Sequence, residues 1–226
     1  VKPFDRFVVL TAEDQGYWGA LPNIRVIPNP LPFTSDETSS CKETKVVAVG
    51  RYDFQKNFSK LLDIWACIAP AYPDWSLEIY GDGALRPELE LQVNRLGLSS
   101  SVTLAKPTHQ MKDVYQSASI YAMTSRYEGL PMVLIEAQHM GLPIVSFACP
   151  CGPKDVIHPG EDGYLISQGD EEGFLTALRQ LMDSEAERVR MGANARKASA
   201  RYEVDAVMGQ WLDLFSSLVP NKSSSV

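Results

Sequence analysis

Cysteine, net positive charge and long apolar runs are all scarce in this chain of 226 residues. Its four cysteines (Cys41, Cys67, Cys149 and Cys151) are too few and too irregularly spaced for a disulfide framework, so reduced thiols in a cytoplasmic protein are expected. Cys149-Pro150-Cys151 has no second Cys/His pair at ligand spacing, which excludes a zinc knuckle. Lys and Arg number 21 against 28 Asp and Glu, a net charge of −7, and no basic run offsets it; nucleic acid is not an expected partner. No apolar stretch approaches the ~18 residues of a membrane span, and no signal peptide is visible. The chain starts at Val1 rather than Met, which suggests a processed or cut piece. Also missing are the G-x-G-x-x-G fingerprint of dinucleotide enzymes, the G-x-x-x-x-G-K-[ST] loop of nucleotide hydrolases, and any Asp-x-Asp pair to clamp a divalent metal on a diphosphate.

What remains is an ordinary globular composition, 45% apolar and 22% charged. Short apolar runs alternate with helical patterns from Lys45 onward. Val46-Val47-Ala48-Val49 reads as a strand covered on both faces, and Leu61, Ile64, Trp65 and Ile68 recur at helical spacing after it. Further strands are expected at 77–80, 102–104, 120–123, 143–147 and 164–166. Helices are expected at 87–96 (closed by Gly97), 111–117, 131–141 and 173–182. This order implies right-handed βαβ crossovers and a doubly wound parallel α/β sheet, with ligands beyond the carboxyl ends of the strands.

Upstream, 7–10 and 24–27 are brief strands around a short helix whose N-cap is Thr11, with Asp14 in the capping-box position. Three prolines in Pro28-Asn29-Pro30-Leu31-Pro32 force an extended connection, and 34–40 is polar and core-free. The expected divisions are 1–33, a remnant of another domain; 34–44, a linker; 45–218, the main domain; and 219–226, a disordered tail. Helix 186–200 is charged, and Val204, Val207, Trp211, Leu214 and Leu218 form an apolar stripe expected to cover 1–27 or to pair with another chain.

Chemistry concentrates in Ser125-Arg126-Tyr127-Glu128-Gly129-Leu130-Pro131-Met132-Val133-Leu134-Ile135-Glu136-Ala137. Gly129 permits backbone conformations closed to other residues, and Pro131 suits the first position of a helix. The amides at that helix start form an anion site, and Glu136 lies roughly 7–8 Å behind it at 1.5 Å per residue. A βα turn with two solvated glutamates fits the same spacing. Arg51 and Lys56 flank another helix start, where Arg grips phosphate oxygens in a fork and Lys acts as a point charge; they could equally be a commonplace surface pair. Gly81-Asp82-Gly83 allows close approach by a ligand or simply a tight turn. His109, His139 and His158 share no spacing and read as structural or surface residues.

Together these residues resemble the C-terminal, donor-binding half of the family-four retaining glycosyltransferases of the GT-B fold. The resemblance covers about 1–218 and rests on Val49-Gly50-Arg51 with Gln55-Lys56-Asn57, Tyr80-Gly81-Asp82-Gly83, Glu128-Gly129-Leu130-Pro131 with Glu136-Ala137, and Gly141-Leu142-Pro143-Ile144-Val145. It implies that Arg51, Lys56, Gly129, Leu130 and Pro131 hold the donor diphosphate, that Glu136 binds the ribose, and that catalytic Glu128 lies near the donor sugar. Lys106 falls where the family reads the base, although Ala105-Lys106 replaces the usual glycine. No metal and no cofactor beyond the nucleotide-sugar substrate is implied. The expected activity is hexosyl or N-acetylhexosaminyl transfer to a saccharide or lipid-linked acceptor, in surface polysaccharide or glycoconjugate synthesis, with Cys149-Pro150-Cys151-Gly152-Pro153 leaning toward UDP-sugars. The resemblance also implies a missing N-terminal acceptor domain, an isolated piece that transfers nothing, and a full-length enzyme in the cytoplasm, peripheral to the inner face of the membrane. A related GT-B sugar-nucleotide epimerase or phosphorylase, or a non-catalytic nucleotide-sugar-binding module, would use the same cradle.

Overall fold

The computed structural model describes residues 4–19 and 21–219; the tail expected at 219–226 therefore lies, apart from Val219, outside the described residues. The larger sheet is parallel throughout, in the order β5-β4-β3-β6-β7-β8. Its strands are β3 (Lys45–Val49), β4 (Ser76–Tyr80), β5 (Val102–Ala105), β6 (Ile120–Met123), β7 (Ile144–Phe147) and β8 (Gly163–Ile166). The chain winds outward from β3 to β5, then returns to the other side of β3 as β6. That reversal opens a crevice at the carboxyl ends of β3 and β6.

Helices cover both faces because side chains alternate along each strand. Val46 and Ala48 of β3 pack on one side with α2 (Phe58–Ile68), α3 (Arg86–Arg95) and α7 (Glu171–Asp183). Val47 points the other way, into a core with α4 (Met111–Gln116) and α5 (Met132–His139). Trp65, Tyr52 and Tyr115 are among the largest fully enclosed side chains. Burying such residues at about 25 cal/mol per Å² supplies the main driving force for this three-layer arrangement.

Residues 34–40 bury no side chain, in keeping with their polar, core-free reading, but the linker expected at 34–44 is tied to the main body. Ser39 donates from its backbone to Met140 O (2.8 Å), and Cys41 is buried. The Cys41 carbonyl accepts from Arg188 Nε at 2.9 Å, while Arg188 Nη1 reaches Leu181 O (2.6 Å) and Met182 O (3.1 Å). Arg188 belongs to α8 (Glu185–Ala198), and burial pulls the pKa of its guanidinium down. The segment is held by backbone groups meeting a buried cation, which its polar side chains do not advertise.

The chain's first part forms a separate parallel pair, β1 (Phe7–Val9) with β2 (Ile24–Val26), joined by α1 (Ala12–Tyr17). Thr11 Oγ1 caps α1 by accepting from Asp14 N at 3.0 Å, as the sequence suggested. Helix α9 (Val204–Leu218) closes over this pair: Val207 and Leu214 are buried against Ile27, with Val8 and Trp211 packed alongside. The apolar stripe is shorter than expected, since its end residues Val204 and Leu218 remain exposed. Among the described residues no helix is long and apolar enough to cross a membrane.

His139 fastens the 34–44 segment to the C-terminal end of α5, its Nε2 accepting from Ser35 N at 3.1 Å. Burial, together with nearby Arg196 and Lys112, lowers its pKa from 6.5 to about 4. The unfolded chain takes up this proton first, so stability should fall as pH drops through that window, by about 2 kcal/mol at pH 5 from this group alone. His139→Gln keeps an acceptor without the titration, and its urea midpoint should change less between pH 7 and pH 5 than the wild type's. An equal change in both proteins would contradict this.

Candidate active site

The site is built where the loops after β3 and β6 meet. Gly81, at the end of β4, lies so near the Gly50 carbonyl that no side chain fits between them. A Cβ on Gly50 would meet the Lys56 stem at 2.9–3.0 Å, so that side chain lies flat along the loop. Tyr52 is buried beneath, its hydroxyl 2.6 Å from Ile79 O and 3.0 Å from Ala105 O; burial foremost pushes its pKa to about 12. Asn57 ends the loop at φ 55, a left-handed conformation that Asn tolerates better than most residues. Its side chain donates to Thr124 O (3.3 Å) and accepts from Arg126 Nη2 (2.9 Å).

The second loop rests on a third. Glu128 N donates to Pro150 O at 2.9 Å, and Arg126 N donates to Gln55 O at 2.8 Å. Pro131 stands at the N-cap of α5 (φ −74, ψ 90) rather than at the first helical position, and no side chain caps the helix. Its leading amides are thus left for a ligand or water. The special backbone expected of Gly129 is found at Gly152 instead. Gly129 is exposed with open space where a Cβ would stand, whereas Gly152 has φ +97. A Cβ on Gly152 would overlap the Pro131 ring and come within 2.5 Å of Gly129 O. The glycine that shapes the turn lies some twenty residues downstream of it, in contact but not in sequence.

Of the residues singled out from the sequence, Lys56 and Glu128 are joined directly. Lys56 Nζ lies 2.7 Å from Glu128 Oε1, with the two side chains only 13% and 6% exposed. Glu128 is therefore not a solvated carboxylate. Arg51, 75% exposed, reaches over the same loop to Asp53 (3.3 Å) and Gln55 Oε1 (3.3 Å). Glu136 sits one and a half turns into α5 and accepts from the buried Tyr115 hydroxyl at 2.7 Å. Burial raises the Glu136 pKa, and the Tyr115 hydrogen bond partly offsets that. Lys106 is exposed after edge strand β5, on Asp82's side of the crevice and apart from the Lys56–Glu128 pair.

Sequence reasoning assigned no role to Tyr115, Gln55 or Asp53. Gln55 Nε2 donates to Tyr127 O (3.0 Å) and Glu128 Oε2 (3.3 Å), and Asp53 Oδ1 accepts from Lys56 N (3.0 Å). Cys149 lies buried nearby; burial, then the Glu128 charge, pushes its thiol up to about 12, which makes it inert. The short helix α6 (Pro153–Val156) ties the site to the first lobe: Asp155 accepts from Ala12 N (2.7 Å) and Glu13 N (3.3 Å), and Lys154 pairs with Glu13 (3.3 Å).

A parallel α/β sheet with an uncapped helix start, an Arg and a Lys at its switch point is Rossmann-like, and its structural relatives are GT-B glycosyltransferases. TarM of S. aureus, solved in complex with Fondaparinux, alpha-GlcNAc-glycerol and UDP, aligns over 94% of this chain and 44% of its own, at a TM-score of 0.84 and 23% identity. Anabaena HepE, solved with UDP and glucose, aligns over 94% of this chain and 63% of its own, at 0.82 and 20%. The chain belongs to the family described as glycosyl transferases group 1, whose profile matches residues 34–198. Among curated relatives, the amylovoran biosynthesis glycosyltransferase AmsD of Erwinia amylovora is 36% identical over 94% of this chain. An alpha-1,4-N-acetyl-D-galactosaminyltransferase of Campylobacter jejuni, acting on an undecaprenol-linked saccharide by its name, is 29% identical over 96%. The chain spans only 62% and 61% of the lengths of these two proteins.

Gly152→Ala tests how the turn is held. Left-handed strain and the overlap with Pro131 should together cost about 1–3 kcal/mol in urea unfolding. A wild-type midpoint would show that Gly152 does not brace the Gly129–Pro131 turn.

Proposed function

We propose that this chain is the donor-binding part of a retaining glycosyltransferase that moves a hexosyl or N-acetylhexosaminyl group from a nucleotide diphosphate sugar, UDP-linked by preference. The acceptor is a saccharide or lipid-linked saccharide in surface polysaccharide or glycoconjugate synthesis, met at the inner face of the membrane. The observation that carries the reading is the Lys56–Glu128 contact beside the uncapped start of α5, in a chain of the glycosyl transferases group 1 family. In this reading Arg51, Lys56 and the Gly129-Leu130-Pro131 turn neutralise the diphosphate, whose negative charge grows as the sugar leaves. Preorganised cations and amides favour that developing charge most. Glu136 accepts from the ribose hydroxyls, Lys106 borders the base, and Glu128 faces the sugar.

Lys56 has two suitors here. Its ammonium is already paired with Glu128, so a diphosphate must share it, and a sugar hydroxyl arriving at Glu128 compensates the carboxylate for a lengthened pair. No metal is assigned a role; two side-chain cations and the helix start carry the charge. The acceptor is assigned to a further N-terminal domain, since the relatives are longer than this chain, and the 226 residues alone should bind donor without transferring it.

Two measurements test this. A thermal-shift panel of UDP, GDP, ADP and their sugars, each run with and without EDTA, should give a shift for one base that EDTA does not remove. Ligand at ~100 times its dissociation constant adds ~2.7 kcal/mol. Silence across the panel, or a shift abolished by EDTA, would sink the donor site as drawn. Second, Glu128→Gln frees Lys56 from its counter-charge, so affinity for the bare nucleoside diphosphate should hold or rise by calorimetry. In the complete enzyme the same change should lower transfer by about 10²–10³-fold. Weaker diphosphate binding in the variant would count against the assigned division of labour.

A further inference from the structure

Gln55 has no place in the roles above, yet every polar function of its side chain is engaged. Its Nε2 donates to Tyr127 O at 3.0 Å and to Glu128 Oε2 at 3.3 Å, and its Oε1 accepts from Arg51 Nη2 at 3.3 Å. The amide orientation follows from these partners, because a flipped group would set its oxygen against two acceptors. Gln55 also accepts through its own carbonyl from Arg126 N at 2.8 Å, so side chain and backbone hold the same loop. A glutamine on a surface loop ordinarily spends these groups on water. This one spends its Nε2 on residues 72 and 73 positions away, both in the turn that carries Glu128.

The geometry points to Gln55 as a positioning residue that fixes the Glu128 carboxylate for the donor sugar. The inference rests on the reading of Glu128 given above. Lys56 takes Oε1 and Gln55 takes Oε2, so both oxygens are held by neighbouring residues of one loop. A carboxylate held at both oxygens cannot spin about its last bond, and each oxygen keeps lone-pair capacity for a hydroxyl. A sugar then binds to a group already ordered, and the entropy of ordering it is not charged against binding. At 6% exposure water does little to replace a lost donor. The Arg51 contact is different in kind: Arg51 Nη2 is shared with Asp53 and is otherwise exposed, so a diphosphate can draw it away without disturbing Nε2. Binding of the nucleotide should therefore be indifferent to Gln55, and binding of the sugar should depend on it.

The test is calorimetric titration of the 226-residue chain with matched pairs: UDP-glucose and UDP, GDP-mannose and GDP, ADP-glucose and ADP. Wild type, Gln55→Leu and Gln55→Glu are compared, with thermal melting as the control for folding. For the pair that binds, Gln55→Leu should leave the nucleoside diphosphate within about twofold and weaken the sugar nucleotide about tenfold, the loss of one hydrogen bond to a charged group. Gln55→Glu keeps the shape and carries the test if the leucine variant does not fold. It should bind the sugar nucleotide poorly near pH 8 and recover toward about pH 5, where the introduced carboxyl is protonated and donates again. A merely structural glutamine would not yield that pH rescue. Equal losses for nucleotide and sugar nucleotide, or no loss for either, would overturn the inference. A wild type that binds nucleotides but shows no preference for the sugar-bearing member would remove the Glu128 reading, and Gln55's role with it. A wild type that binds none would remove the donor site altogether.

Discussion

A contact between side chains 72 positions apart, Lys56 with Glu128, organises the carboxyl end of this sheet. It exists because β3 and β6 are neighbours although β4 and β5 intervene in the chain. Three other features of the site follow from that adjacency: Arg126 and Asn57 lace the two loops, Gln55 spans them, and α5 starts at their junction. Removing a paired group from water is costly, and an ion pair this enclosed is weak evidence for stability. Here the cost is partly offset by Gln55 on Glu128's second oxygen. The pair is better understood as a charge arrangement held ready than as a fastener.

Local strain gathers at the same place. Asn57 and Cys151 are two of the three non-glycine residues with positive φ among the described residues, and both flank the site. Cys151 precedes Gly152, which must be small for the turn to sit down. Backbone held in sparsely populated conformations persists where the surroundings over-determine it, as binding loops often require. The third such residue, Cys41, lies in the anchored 34–44 segment, where a buried Arg188 holds its carbonyl. The helix end at Gly97, by contrast, uses a glycine at φ 68 and carries no such tension.

Much of the architecture was legible in the sequence because it is written in local patterns. Val46 to Val49 announces a strand with both faces covered, Thr11 with Asp14 a helix start, and Gly97 a helix stop. Of the acids and cations singled out by spacing around helix starts and by resemblance, Lys56 and Glu128 meet in the structure. What stayed hidden depends on partners far along the chain. Tyr115 could not be matched with Glu136, nor Gln55 with Glu128, without knowing which strands pair. Gly129 drew attention because it lies inside the motif, while Gly152, which answers to the same turn from outside it, did not. The anchoring of linker 34–44 was not legible because much of it runs through carbonyls and amides, which are identical in every sequence.

The order of strands in the sheet also bears on how the molecule comes into being. With β6 seated beside β3, the two site loops cannot meet until some seventy residues of intervening chain have been gathered and the central pairing has closed. Such non-local pairing makes folding slow relative to local helices and hairpins, because loop-closure entropy comes before the reward. The crevice therefore cannot be assembled from any short stretch. A ligand that grips both loops would recognise only chains whose sheet is finished, and would act as a check on completed folding as much as a reactant.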